Sequence, residues 1–157
     1  MTICAAITTP EGVWIGADSL ASSDELRVDS STPKIYKFRR FLLGYAGSYA
    51  VGSLMKELLR EQPDLGLKDV ADYPPKGNDW EILLADSKGV YEMTPGGGLI
   101  KMTVRQGYSY GVIGSGSGPA LGSLYSWRDG PIALMSALRA AEAHTNHVRR
   151  PFKVINL

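Results

Sequence analysis

The chain has 157 residues, 44% of them hydrophobic and 21% charged, with a formal net charge of +1. That length suits one domain (residues 1–157) with a sizeable core, and the near-zero charge gives no electrostatic case for nucleic acid or an anionic membrane as a partner. A single cysteine, Cys4, excludes an internal disulfide framework, and no apolar run is long enough to span a bilayer. No charged-then-apolar leader precedes Thr2, so the expected compartment is the cytoplasm.

Residues 2–9 and 13–18 read as two apolar, β-branched strands joined at Pro10-Glu11-Gly12, a hairpin. The second run hardly alternates, which suits a strand covered on both faces. Residues 19–33 are polar and read as a surface loop with a short strand at Arg27-Val28. A second hairpin follows, 34–38 and 41–47, turning at Arg39-Arg40.

Val51, Leu54, Met55, Leu58 and Leu59 then recur at helical spacing over 48–62, with Ser48 as N-cap and Pro63 as stop. Residues 63–79 read as loop with one short helical turn. Strands are expected at 80–85, 90–93, 99–104 and 108–113. Helices are expected at 119–127 and 131–143, the second capped by Asp129 with Pro131 in its first turn. A last strand covers 152–155. Antiparallel hairpins with segregated helices predict α+β layers rather than a doubly wound sheet.

The first residues carry the chemistry. Aminopeptidases remove Met before a small residue, so Thr2 can become a free N-terminus holding a hydroxyl and an α-amine together. That amine titrates at about 7.7–8.0 in models, so much of it is a free base near neutrality. A terminal amine is one recognised way of activating a hydroxyl nucleophile. Asp18 ends an apolar strand, where a carboxylate is costly unless paired, and Lys34 opens the next hairpin. An ammonium there would lower the hydroxyl's proton affinity and keep the amine neutral, with the carboxylate holding the lysine.

Gly47 stands between a strand and a helix, where its N–H can face a developing oxyanion and the helix N-terminus adds partial positive charge. The equally simple alternative is a tight-turn glycine. Gly114-Ser115-Gly116-Ser117-Gly118 lacks the lysine of a phosphate-binding loop, so Ser115 is read instead as a partner of the amine. His144 and His147 have no third ligand nearby and read as helix caps. No metal and no cofactor are expected, and Cys4 reads as a buried small hydrophobe.

These residues together resemble the proteasome β-subunit and HslV-like N-terminal nucleophile (Ntn) hydrolase family. The matching pieces are Thr2 behind Met1, Gly16-Ala17-Asp18, Lys34, Phe41 through Ser48 leading into a helix, Ile113-Gly114-Ser115-Gly116, and Thr145-Asn146-His147. Asp18 stands sixteen positions after Thr2 and Lys34 thirty-two, the family's own offsets. The resemblance implies a four-layer αββα sandwich and a threonine-type endopeptidase.

In that reading the Thr2 hydroxyl attacks a peptide carbonyl with its own amine as base. Lys34 and Asp18 tune the transfer, Gly47 N–H binds the oxyanion, and Ser115 orients the amine and a water. The resemblance also implies a homo-oligomeric ring with an inner chamber, a peptide or unfolded protein as substrate, and an AAA+ unfoldase as partner. Two other readings stand beside it: a catalytically silent structural ring subunit with Met1 retained, as in a viral particle, and a small-molecule Ntn amidase.

Overall fold

The computed structural model describes residues 2–22, 27–29, 33–73, 75–96, 98–102, 104–126 and 129–157. Strand β1 (Ile3–Thr9) is apolar on both faces, and every one of its residues is buried. Ile3, Ala5 and Ile7 join one core cluster and Cys4 and Ala6 another, as the two-residue period of a strand requires. A strand with two apolar faces must be covered twice, and the rest of the fold supplies the covers.

On one flank β1 pairs antiparallel with β2 (Gly12–Asp18), Cys4 opposite Ala17. On the other flank it pairs with β11 (Tyr108–Gly114), Ile3 opposite Gly114. With β10 (Val104–Arg105) and β12 (Phe152–Asn156) these make a sheet of order β10-β11-β1-β2-β12. The second sheet has the order β5-β6-β7-β8-β9, from β5 (Ile35–Lys37), β6 (Leu42–Gly47), β7 (Trp80–Asp86), β8 (Gly89–Met93) and β9 (Leu99–Lys101).

The two sheets face each other across Cys4, Ala6, Ile15, Ala17, Leu42, Ala46, Leu83 and Ala85. Many of these are small, which lets the sheets approach closely. A Cβ at Gly44 would lie only 2.9 Å from the Ile15 Cδ1 and 3.2 Å from the Cys4 Cβ.

Helices α3 (Ser117–Ser126) and α4 (Gly130–His144) cover the outer face of the first sheet, packing Ala133, Leu134, Ala137, Leu138 and Ala141 on Ile3, Ala5 and Ile7. Helix α1 (Tyr49–Glu61) and the short α2 (Leu67–Val70) cover the second sheet with Val51, Met55, Leu58 and Val70. The layers are therefore α, β, β, α, as expected.

Ser48 caps α1, its hydroxyl accepting the Ala50 N–H at 3.3 Å, and the helix stops two residues short of Pro63. Asp129 precedes α4, although its side chain makes no capping hydrogen bond.

Three stretches differ from expectation. Residues 20–22 form a strand, β3 (Leu20–Ser22), paired with β4 (Arg27–Asp29) in a separate ribbon. The expected strand at 99–104 is split: β9 stays with β8, whereas β10 joins β11. Met102 lies at the crossover, its N–H bonding the Val90 carbonyl at 2.8 Å, and Gly111 leaves room for its side chain. Helix α3 begins at Ser117, not 119, and its expected last residue, 127, lies outside the described residues.

Gly52 tests the packing of α1. Its carbonyl accepts the Tyr36 hydroxyl at 3.0 Å, and a Cβ there would overlap the buried Tyr45 phenol. Gly52→Ala gains about 0.8–1.0 kcal/mol in helix propensity, but overpacking a fixed ring costs about 1–3 kcal/mol. A net loss of stability is expected, read as a lower midpoint in urea.

Candidate active site

The start of β1 lies deep between its two neighbours. Thr2 is 8% exposed. Its carbonyl accepts the Ser115 N–H at 2.9 Å, one step beyond the Ile3–Gly114 pair. The N–H of the same peptide plane, that of Ile3, donates to Asp18 Oδ1 at 3.1 Å. The peptide between residues 2 and 3 is thus held at both edges, from β11 and from the end of β2. Two such bonds on one rigid plane fix the direction in which residue 2 leaves the strand.

Asp18 is 2% exposed and Lys34 4%. Lys34 Nζ meets Asp18 Oδ1 at 2.9 Å, the same oxygen that takes the Ile3 N–H. A buried carboxylate is tolerated because a cation and a backbone donor converge on it. The Lys34 backbone is held too: its carbonyl accepts the Tyr45 N–H at 3.1 Å, extending the β5–β6 pairing by one residue. Taken alone in the sequence, Lys34 reads better as a solvated strand-start charge; the fold buries it on Asp18.

Cys4 lies beneath this pair, its thiol 3.3 Å from the Tyr45 carbonyl and 3.9 Å from that of Lys34. Burial, reinforced by the Asp18 charge, pushes the thiol pKa up. It stays protonated and inert, consistent with its reading as a small buried side chain.

Gly47 ends β6 at φ +93°, and a Cβ there would overlap the Asp79 carbonyl, so glycine is required. The Tyr45 N–H points to the β5 side, onto Lys34, and the Ser48 N–H points to the β7 side, onto Asp79. Amide directions alternate along a strand, so the Gly47 N–H points to the β5 side, past Lys34.

Gly114 connects the two sheets here. At φ +86°, a Cβ on it would overlap the Thr2 carbonyl oxygen and come 3.2 Å from the Ala46 Cβ. Gly114→Ala is expected to destabilise by about 1–3 kcal/mol, since strain and overlap coincide at one residue. Thermal and urea denaturation check it.

The five residues singled out from sequence therefore fall in one neighbourhood. Asp18 bonds Lys34 and the Ile3 amide next to Thr2, Ser115 donates its backbone N–H to the Thr2 carbonyl, and Gly47 follows Ala46, which abuts Gly114. Ser115 reaches Thr2 by its amide; no role of its hydroxyl enters that bond.

Glu81, not singled out from the sequence, also enters: its Oε2 accepts the Gly114 N–H at 2.8 Å. Its signal was an acidic residue inside the apolar run Trp80–Ala85.

His144 and His147 are exposed, and among the described residues no group of three His, Cys, Asp or Glu side chains gathers as a metal site. Thr145 packs beside Gly116, where a Cβ would come 3.1 Å from its methyl. A groove of about 460 Å³ lined by Glu11, Trp14, Tyr108, Asp129, Gly130 and Pro131 lies by the β1–β2 turn, at the other end of β1 from Thr2. Among the described residues no helix is long and apolar enough to cross a membrane.

No family model and no curated protein matches the sequence. Solved structures are similar in fold. Eukaryotic HslV from Trypanosoma brucei aligns with TM-score 0.78 at 18% identity, over 99% of this chain and 98% of that one. BPH from Thiobacillus denitrificans, solved in complex with epoxomicin, aligns with TM-score 0.76 at 15% identity, over 99% and 98%. Anbu, an ancestral β-subunit, from Yersinia bercovieri aligns with TM-score 0.75 at 15% identity, over 99% of this chain and 81% of that one. The chain has the proteasome-like Ntn-hydrolase fold.

Proposed function

We propose that this chain is a threonine-type endopeptidase that works as a subunit of a homo-oligomeric, proteasome-like ring, with Thr2 as its N-terminal nucleophile. The observation that supports it most is the Thr2–Ile3 peptide held between Ser115 N–H and Asp18, with Lys34 on the same Asp18 oxygen. A buried ion pair adds little stability that apolar residues could not supply. Its presence beside the first residue of β1 suits chemistry better than scaffolding.

The steps follow from these groups. With everything before Thr2 removed, its α-amine takes the hydroxyl proton as Oγ attacks the peptide carbonyl. The Lys34 ammonium favours the neutral amine and the developing alkoxide. The Gly47 N–H donates to the oxyanion. Collapse breaks the C–N bond, and the leaving amine carries off the proton. A water, deprotonated by the same α-amine, then attacks the Thr2 ester; the C–Oγ bond breaks, the amine returns the proton to Thr2 Oγ, and the second product leaves as the acid. No cofactor is needed.

Large apolar side chains left exposed on the α3–α4 layer, Tyr125 at 56% and Ile132 at 53%, support an oligomer. An AAA+ unfoldase as partner, unfolded protein as substrate and a cytoplasmic setting belong to the same proposal.

Native mass spectrometry combined with a panel of fluorogenic peptides and small amides tests it. A ring that cleaves peptides is expected. A ring without turnover would favour the silent structural subunit, and a monomer that cleaves only small amides would favour the amidase.

A further inference from the structure

The candidate groups are divided between two sheets. Thr2, Asp18 and Ser115 belong to the first, on and beside β1, β2 and β11; Lys34 and Gly47 belong to the second, on and beside β5 and β6. Catalysis as proposed needs Thr2 Oγ and the Gly47 N–H in fixed relation, so the sheets must not slide at this end. Lys34–Asp18 ties β5 to β2 on one flank. On the opposite flank the tie is Glu81–Gly114, from β7 to β11.

From this geometry we infer that Glu81 is a positioning residue: its carboxylate holds Gly114–Ser115, and through Ser115 the Thr2 carbonyl, in register with the strand that carries Gly47. The inference rests on the peptidase reading for its catalytic consequence, and on geometry for the holding itself.

The geometry is short and continuous. Glu81 pairs with Ala46, so it is one ladder step from Gly47, which pairs with Trp80. Its Oε2 accepts the Gly114 N–H at 2.8 Å, and the next amide, Ser115 N–H, donates to the Thr2 carbonyl at 2.9 Å. Gly114 sits at φ +86° with no side chain of its own to lock the turn. An external acceptor therefore does what local packing cannot.

The choice of a carboxylate is costly at this place. Glu81 is half-buried, and Glu92 lies diagonally across on β8, opposite Leu83. Burial pushes the Glu92 carboxyl above its usual range, and the Glu81 charge adds to that. A hydrogen bond to a backbone N–H that itself steers the catalytic strand is a use that offsets this cost.

The test compares Glu81→Ala, Glu81→Leu and Glu81→Gln in the assembled protein. It uses peptide turnover and hydrogen-exchange mass spectrometry over residues 112–117. The Ala and Leu variants are expected to lose about tenfold to a hundredfold in kcat, because misplacement by about an ångström costs that much. KM is expected to stay within about twofold, since an interaction that matters only in the transition state is being removed. Glu81→Gln, whose amide oxygen can accept the same N–H, is expected to recover most of kcat.

Exchange over 112–117 is expected to speed up in the Ala and Leu variants and not in Gln, with α4 unchanged. Wild-type kcat in Glu81→Ala, equal loss in Gln and Ala, or unchanged exchange over 112–117 would each overturn the inference. Should the Ala and Leu variants fail to fold, Glu81→Asp, one methylene shorter, is expected to show the same losses and carries the same test. An inert wild type would sink the peptidase reading alone, because the exchange comparison still decides whether Glu81 holds the segment.

Discussion

Thr2→Ala is expected to lower peptide turnover by about 10⁴-fold or more, the scale of losing a nucleophile, while leaving fold and assembly intact. The contacts that seat residue 2 are made by its backbone. Its carbonyl accepts from Ser115, and the Asp18 bond goes to the next amide. Alanine keeps both, and it keeps the α-amine. What it lacks is the attacking oxygen. Thr2→Ser restores that oxygen and is expected to regain part of the rate. Unchanged turnover in Thr2→Ala would refute the nucleophile assignment outright.

Lys34→Ala is expected to cost about 3–5 kcal/mol of stability, because it removes the cation that compensates the Asp18 carboxylate in a site 2% exposed to solvent. For a chain of this length, each kcal/mol moves the melting temperature by about 2–4 °C, so a fall of roughly 6–20 °C should be visible by calorimetry.

The double variant Asp18→Asn with Lys34→Met separates structure from chemistry. Asn can still accept the Ile3 N–H, and Met fills the apolar length of the lysine without a charge. Most of the lost stability is expected to return, yet turnover should stay low, since the proposed mechanism relies on the Lys34 ammonium. Recovery of both together would mean that the pair acts only as a structural tie.

The hairpin of β1 and β2 was legible because its residues are apolar on two faces and its turn carries Pro10 and Gly12. Helix α1 was legible from its spacing and from Ser48, whose hydroxyl caps the Ala50 N–H. The four-layer arrangement came through resemblance, and the three core clusters give it physical content.

Other features depend on tertiary contacts that no local pattern encodes. β3 pairs with β4 in a ribbon separate from both main sheets, a pairing between segments that no local pattern announces. The break between β9 and β10 reflects Met102 turning inward over Gly111 at a sheet crossover, whereas its neighbours in sequence read as continuous strand.

At the candidate site, the residue types of Thr2, Asp18, Lys34, Gly47 and Ser115 were visible. Their bonds were not: Asp18 Oδ1 serving both Lys34 and the Ile3 amide is a fact of packing. Glu81 escaped notice because a lone acid in a strand is usually an exposed one, and only the facing Gly114 N–H gives it a task.

N-terminal sequencing of protein that is actively hydrolysing peptide puts the central idea to the most direct trial. Threonine 2 is expected as the first residue, its amine free. A preparation that turns over peptide while methionine still covers that amine would contradict it.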